Sequence, residues 1–117
     1  MAETPKKPIH RCLPCEGLTG PLEPVEIQKR LKDIPGWSVA PDGVLEREWT
    51  LKNFRRAVAF VNAIAEAAER ENHHPDLTLH SYRKLKVRLS THAVKGLSLN
   101  DFLLADTINA IAEEFST

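Results

Sequence analysis

Leu77-Thr78-Leu79-His80-Ser81-Tyr82-Arg83-Lys84-Leu85-Lys86-Val87-Arg88-Leu89 reads as two strands joined by a reversal. In its second half Leu85, Val87 and Leu89 alternate with Lys84, Lys86 and Arg88, the two-residue period of a strand with one buried and one wet face. The cationic face, with Arg83, reads as solvated sheet surface rather than a nucleic-acid patch. Folding the segment back antiparallel about Arg83 sets Leu77 opposite Leu89 and His74 opposite His92.

Outward from this hairpin, apolar spacing predicts three helices and a second hairpin. Asn53 caps a long, alanine-rich helix with a face of Phe54, Val58, Val61, Ile64 or Ala65, and Ala68. That helix must stop before Pro75, because the residue preceding a proline resists the α conformation. Upstream, Trp37-Ser38-Val39, the turn Pro41-Asp42-Gly43 and residues 44–50 form a hairpin. Pro24 opens a first helix running to about Asp33, with Ile27, Leu31 and Ile34 as its stripe and Gly36 as its end. Downstream, Ser98-Leu99-Asn100-Asp101 is a capping box, with Asp101 in a structural role. It launches a last helix bearing Leu104, Ile108, Ile111 and Phe115 on one side. The order α-β-β-α-β-β-α predicts a two-layer α+β fold, a four-stranded antiparallel sheet with three helices on one face. Trp49 reads as core, Tyr82 as packing on the sheet and His80 as solvent-facing.

A chain of 117 residues builds one domain. Sixteen Lys and Arg against sixteen Asp and Glu leave no net field to steer it toward nucleic acid or a membrane surface. No apolar run is long enough to span a bilayer, and no hydrophobic segment follows the N-terminal lysines, so a cytoplasmic location is expected, or an organelle matrix such as a plastid. Residues 1–21 carry Pro5, Pro8, Pro14 and Pro21 with Gly17 and Gly20 and show no periodicity. They read as a flexible N-terminal arm, dispensable for chemistry, before a domain over 22–117. Cys12 and Cys15 form a single Cys-x-x-Cys without a second pair or a surrounding βαβ pattern, and read as no functional centre.

Chemistry concentrates around the central hairpin, in Glu69-Arg70-Glu71-Asn72-His73-His74-Pro75 before it and Ser90-Thr91-His92 after it. Three imidazoles brought together can donate and accept protons near neutrality. Glu69, four residues before His73, is placed to hold its ring. Zinc binding is the competing reading, since three histidines can hold an ion and leave one position open. Against it, adjacent His73 and His74 rarely aim both rings at one ion, and no His-x-x-x-His pair is present.

An acidic residue, three spacers, His-His-Pro, six spacers, an aromatic, nine spacers, a His, eight spacers and an Asp is filled here by Glu69, His73, His74, Pro75, Tyr82, His92 and Asp101. In this the chain resembles the pterin-4a-carbinolamine dehydratases, and the likeness extends to Pro35-Gly36-Trp37 and Leu97-Ser98, covering roughly residues 22–115. The resemblance implies the same two-layer α+β fold, no cofactor and no metal. It implies dehydration of 4a-hydroxytetrahydropterin to quinonoid dihydropterin, which recycles the tetrahydrobiopterin-type cofactor of aromatic amino acid hydroxylases.

By that resemblance His73 and His92 are general acids on opposite faces of the pterin, and His74 binds and orients it. Trp37, Glu69, Pro75, Ser90 and Thr91 are implied to line or hold the substrate slot. Ala93 stands where family members often carry Glu, and Asn72 where an acidic residue is common. The likeness also implies a homotetramer, a dimer of dimers. The runner-up is a non-catalytic relative acting as a RuBisCO-type assembly factor or a protein-binding cofactor, as some dehydratase-like proteins do.

Overall fold

The computed structural model describes residues 20–115; the cysteine pair and most of the expected arm lie outside the described residues. Three helices and four strands follow in the predicted order: α1 (Pro24–Leu31), β1 (Ser38–Val39), β2 (Leu45–Thr50), α2 (Phe54–Glu71), β3 (Asp76–His80), β4 (Lys84–Leu89) and α3 (Leu99–Phe115). All strand pairs are antiparallel, in the spatial order β1-β2-β4-β3. The fold is therefore the expected α+β arrangement, an open sheet with helices packed against it.

β4 is an inner strand, paired with β2 on one side and β3 on the other, and its alternation sorts its two faces. Leu85, Val87 and Leu89 are fully buried, while Lys84, Lys86 and Arg88 lie on the opposite face, in register with Thr50, Glu48 and Glu46 of β2. On that outer face Arg88 binds both Glu46 and Asp42, and His80 binds Glu48 at 2.6 Å. Arg88 is thus matched by carboxylates on the neighbouring strand and on the turn before it.

The hairpin pivots on Tyr82, not Arg83. Leu77 pairs with Val87 and His80 with Lys84, two residues away from the expected register. Ser81 and Tyr82 both adopt positive φ (52° and 54°), so the reversal falls on them and Arg83 becomes its last residue. A slip of two residues keeps every side chain on its predicted face, which is why the burial pattern survives the error. Tyr82 is exposed at this tip, not packed on the sheet.

α2 also turns a slightly different side inward. Ala57, Phe60, Ile64, Ala67 and Ala68 are buried, whereas Phe54 is 55% exposed and Ala65 faces outward. Phe60 decides the rotation: it packs edge-on to Trp49 at 5.2 Å and stacks on Phe115 at 5.8 Å. In α3 Leu104 and Ile108 are fully buried, with Ile111 and Phe115 packed at the margin of the core. α1 ends at Leu31, earlier than expected, and Ile34 enters the core from the turn that follows.

Candidate active site

The end of α2 is shaped by Asn72. In the left-handed conformation (φ 53°, ψ 41°) its amide returns to Ala68 and Glu69, and the amide of His73 bonds the carbonyl of Ala68 at 3.1 Å. This is a Schellman-type closure, and asparagine is among the few residues that tolerate it. The reversal takes His73 off the helix surface, so the i, i+4 relation to Glu69 is never formed. Glu69 instead meets His74, with Oε2 2.8 Å from Nε2, in an exposed pair.

His73 is buried, and its Nε2 lies 2.7 Å from Oδ1 of Asp101, itself fully buried. The other oxygen of Asp101 accepts from the Thr91 hydroxyl at 2.8 Å and from the Ser98 amide at 2.9 Å. Thr91 has one proton and gives it to Asp101, so the Ser98 hydroxyl donates to Thr91 at 2.7 Å while accepting from the Asn100 amide. The capping box is present, and its acid does more than cap. Asp101 ties the first turn of α3 to the end of β4 and to the residue leaving α2. Because the carboxylate accepts, the proton of the short contact sits on Nε2, and Nδ1 of a neutral His73 is left as the free acceptor.

His92 opens a single 3-10 turn, His92–Val94, and is exposed; among the described residues its ring has no hydrogen-bond partner. Counting past the last ladder pair, Asp76 with Arg88, position 74 falls level with Ser90 and not with His92. His92 follows directly on Thr91, so it and His73 are both referred to the same buried carboxylate. A cavity of about 170 Å³ opens beside His92, between Asp42-Gly43-Val44 on one side and Ser90, Thr91, Lys95 and Gly96 on the other. Among the described residues, no three His, Cys, Asp or Glu side chains gather into a metal-binding group.

Trp37 is placed apart from these groups. It is 6% exposed, packs edge-on to Trp49 at 5.8 Å and donates its indole N–H to Asn109 at 2.8 Å. Asn109 and the Pro35 carbonyl also bind the guanidinium of Arg47, which lies 4.5 Å over the Trp49 ring. The Pro-Gly-Trp segment is thereby pinned across the sheet to α3. Gly36 suits this place by its φ of 90°, and a Cβ there would lie 2.4 Å from the Arg47 guanidinium carbon, so a larger residue would push that group off its bonds to Pro35 and Asn109. Pro75 lies half-buried between His74 and the start of β3. The groups that sequence reasoning passed over are Asn72 and the second role of Asp101. The capping-box spacing located Asp101, but only the folded geometry brings His73 to it.

An open antiparallel sheet beneath long helices, with imidazoles and a buried carboxylate where α2, β4 and α3 meet, defines a small α+β protein with a polar site at one end of its sheet. The family model described as pterin 4 alpha carbinolamine dehydratase matches residues 20–111, and the chain belongs to that family. A Nitrosospira multiformis protein named "Putative pterin-4-alpha-carbinolamine dehydratase" is 41% identical over 101 residues, covering 86% of this chain and 88% of its own length. A protein of the same name from Dechloromonas aromatica is 43% identical over 104 residues, 88% of this chain and 90% of the relative. The crystal structure of a transcriptional coactivator/pterin dehydratase from Brucella melitensis superposes with a TM-score of 0.75 at 30% identity, covering 80% of this chain and 99% of that one. A pterin dehydratase-like RuBisCO assembly factor of the alpha-carboxysome shares the fold, with a TM-score of 0.57, 16% identity and coverage of 68% and 93%.

Proposed function

We propose that the chain dehydrates a 4a-hydroxytetrahydropterin to the quinonoid dihydropterin, by proton transfer from its own histidines. The observation that carries the reading is the His73–Asp101 pair, in which a buried carboxylate holds one ring nitrogen and the other has no hydrogen-bond partner among the described residues. Loss of the C4a hydroxyl as water needs a proton delivered to the departing oxygen, and the new C=N bond needs the N5 proton removed. The proton gained by the leaving oxygen and the proton lost from N5 balance, so no oxidant or reductant enters.

In this reading Nδ1 of His73 and the unpartnered ring of His92 handle these two protons, each for a rate contribution on the order of 10²–10⁴. His74, steadied by Glu69, binds and orients the pterin; Ser90 and Thr91 line the cavity beside His92, and Pro75 is assigned to the slot wall by its place next to His74. The hydroxyl of Thr91 is committed to Asp101 and its amide and carbonyl to the loop that carries His92, so Thr91 shapes the slot rather than hydrogen-bonding the substrate. Trp37, held by Asn109, supports the slot from the core rather than by contact. The groups that touch substrate all lie within 22–117, in a domain that acts in the cytoplasm and recycles a hydroxylase cofactor as a homotetramer.

The test is the stopped-flow decay of 4a-hydroxytetrahydropterin with and without chelator. Wild type is expected to accelerate it equally in both, and His73→Ala and His92→Ala to lose on the order of 10²-fold or more. His74→Ala should mainly raise KM. Chelator-sensitive turnover restored by zinc would overturn the metal-free mechanism. A wild-type protein without activity on any pterin would favour the assembly-factor reading instead.

A further inference from the structure

His92 stands on a loop closed at its base by a two-way bridge. The Thr91 amide bonds the Gly96 carbonyl at 2.8 Å, and the Gly96 amide returns to Thr91 at 3.4 Å. Within the loop, Lys95 takes the left-handed conformation (φ 56°) and its amide bonds the His92 carbonyl at 3.1 Å. One side of the base is held by Thr91, through its hydroxyl bonds to Asp101 and Ser98. Those contacts leave the Gly96 side to be held by something else.

That side meets the segment leading into α1. The Leu22 amide bonds the Leu97 carbonyl at 2.8 Å, and Pro21 lies so close over Gly96 that a Cβ built there would sit 2.9 Å from the Pro21 Cβ. The atom in the way belongs to a proline ring and cannot swing aside. Leu22 packs against the core, and Glu23 is extended before Pro24, the first residue of α1. Prolines at 21 and 24 restrict the chain between them, so Pro21-Leu22-Glu23-Pro24 behaves as a stiff strut between α1 and the loop.

We infer that Pro21 and Leu22 are positioning residues for His92, setting the loop that presents its imidazole. The contact between Pro21 and Gly96 is then part of the site's construction, although Pro21 and Leu22 themselves line no part of the cavity beside His92. A proton donor displaced by an ångström loses much of its effect, which is why a stiff strut at this place has consequences for rate. The inference rests on the dehydratase reading for its kinetic arm only.

The experiment compares Gly96→Ala, Pro21→Gly and the double variant in two readouts, the His92 ring proton resonances of the ligand-free protein and the kcat for 4a-hydroxytetrahydropterin. Gly96→Ala is expected to shift the His92 resonances and to lower kcat about tenfold or more, with KM changed less. Pro21→Gly, at an exposed position, is expected to fold and to move the same resonances. In the double variant the glycine at 21 makes room for the methyl at 96, so its resonances and kcat should recover toward those of Pro21→Gly. His92 resonances unmoved in Pro21→Gly, or a double variant no better than Gly96→Ala, would overturn the inference. If no variant, wild type included, turns over pterin, the activity reading fails while the resonances still decide this one.

Discussion

Asp101 is fully buried yet receives three donors: the His73 ring, the Thr91 hydroxyl and the Ser98 amide. Hydrogen bonds to charged groups are each worth about 1.5–3 kcal/mol, and a buried group stripped of its partner costs a similar amount. Asp101→Asn keeps the shape but presents an NH₂ to one side of this ring of donors. It is therefore expected to destabilise the fold by about 2 kcal/mol and to move the His73 proton from Nε2 to Nδ1. Nitrogen-15 shifts of the His73 ring, with denaturant midpoints, check both effects; an unchanged tautomer would mean that the carboxylate does not orient the ring. A second prediction concerns the outer face. The Asp42 carboxyl is held below its ordinary value of 3.8 chiefly by its hydrogen bonds from Arg88, and Glu48 is lowered by His80. A carboxyl depressed in the folded state adds stability that is full above its unfolded value and is lost as pH falls through its folded value. Asp42→Asn should thus be less stable than wild type at pH 7, and the gap should close as the pH drops below 3.8. A gap independent of pH, in denaturant midpoints measured across that range, would contradict it.

At the scale of elements, the closure of α2 by Asn72 and the reversal at Ser81 and Tyr82 set where the site's parts lie. An alanine in the left-handed conformation costs roughly 1–2 kcal/mol where glycine costs little. Asn72→Ala should accordingly lower stability by about 1 kcal/mol and disturb His73, while Asn72→Gly should leave both near wild type; thermal melts and His73 ring shifts distinguish them. The same two places mark the limit of sequence reading. The elements, their order and the buried face of β4 follow from apolar periodicity and were legible, as was the capping box at Ser98. The hairpin register was not, because two non-glycine residues at positive φ carry no compositional signal, and so the pivot was placed at Arg83. The partner of His73 was likewise hidden. Helical spacing pointed to Glu69, and nothing local says that the chain leaves the helix at Asn72 and delivers the ring to a carboxylate 28 positions on.

At the scale of the molecule, burial places Leu45, Leu85, Val87, Phe60, Ile64 and Ile108 in one core shared by sheet and helices. Val25 on α1, Phe54 on α2 and Tyr82 at the hairpin tip remain exposed. Alanine-lined helix surface and these apolar residues are what a homotetramer would cover, and light scattering at micromolar concentration should report about four times the 13.1 kDa chain mass. A monomer would mean that the exposed apolar residues need no partner. The most direct test of the central claim is the structure of the protein with a reduced pterin soaked into crystals. The account predicts the ring between His73, His74 and His92, with Nδ1 of His73 and a ring nitrogen of His92 within about 2.6–3.2 Å of polar atoms of the ligand. Pterin density elsewhere on the molecule, or His73 turned so that Nδ1 faces away from it, would contradict the account.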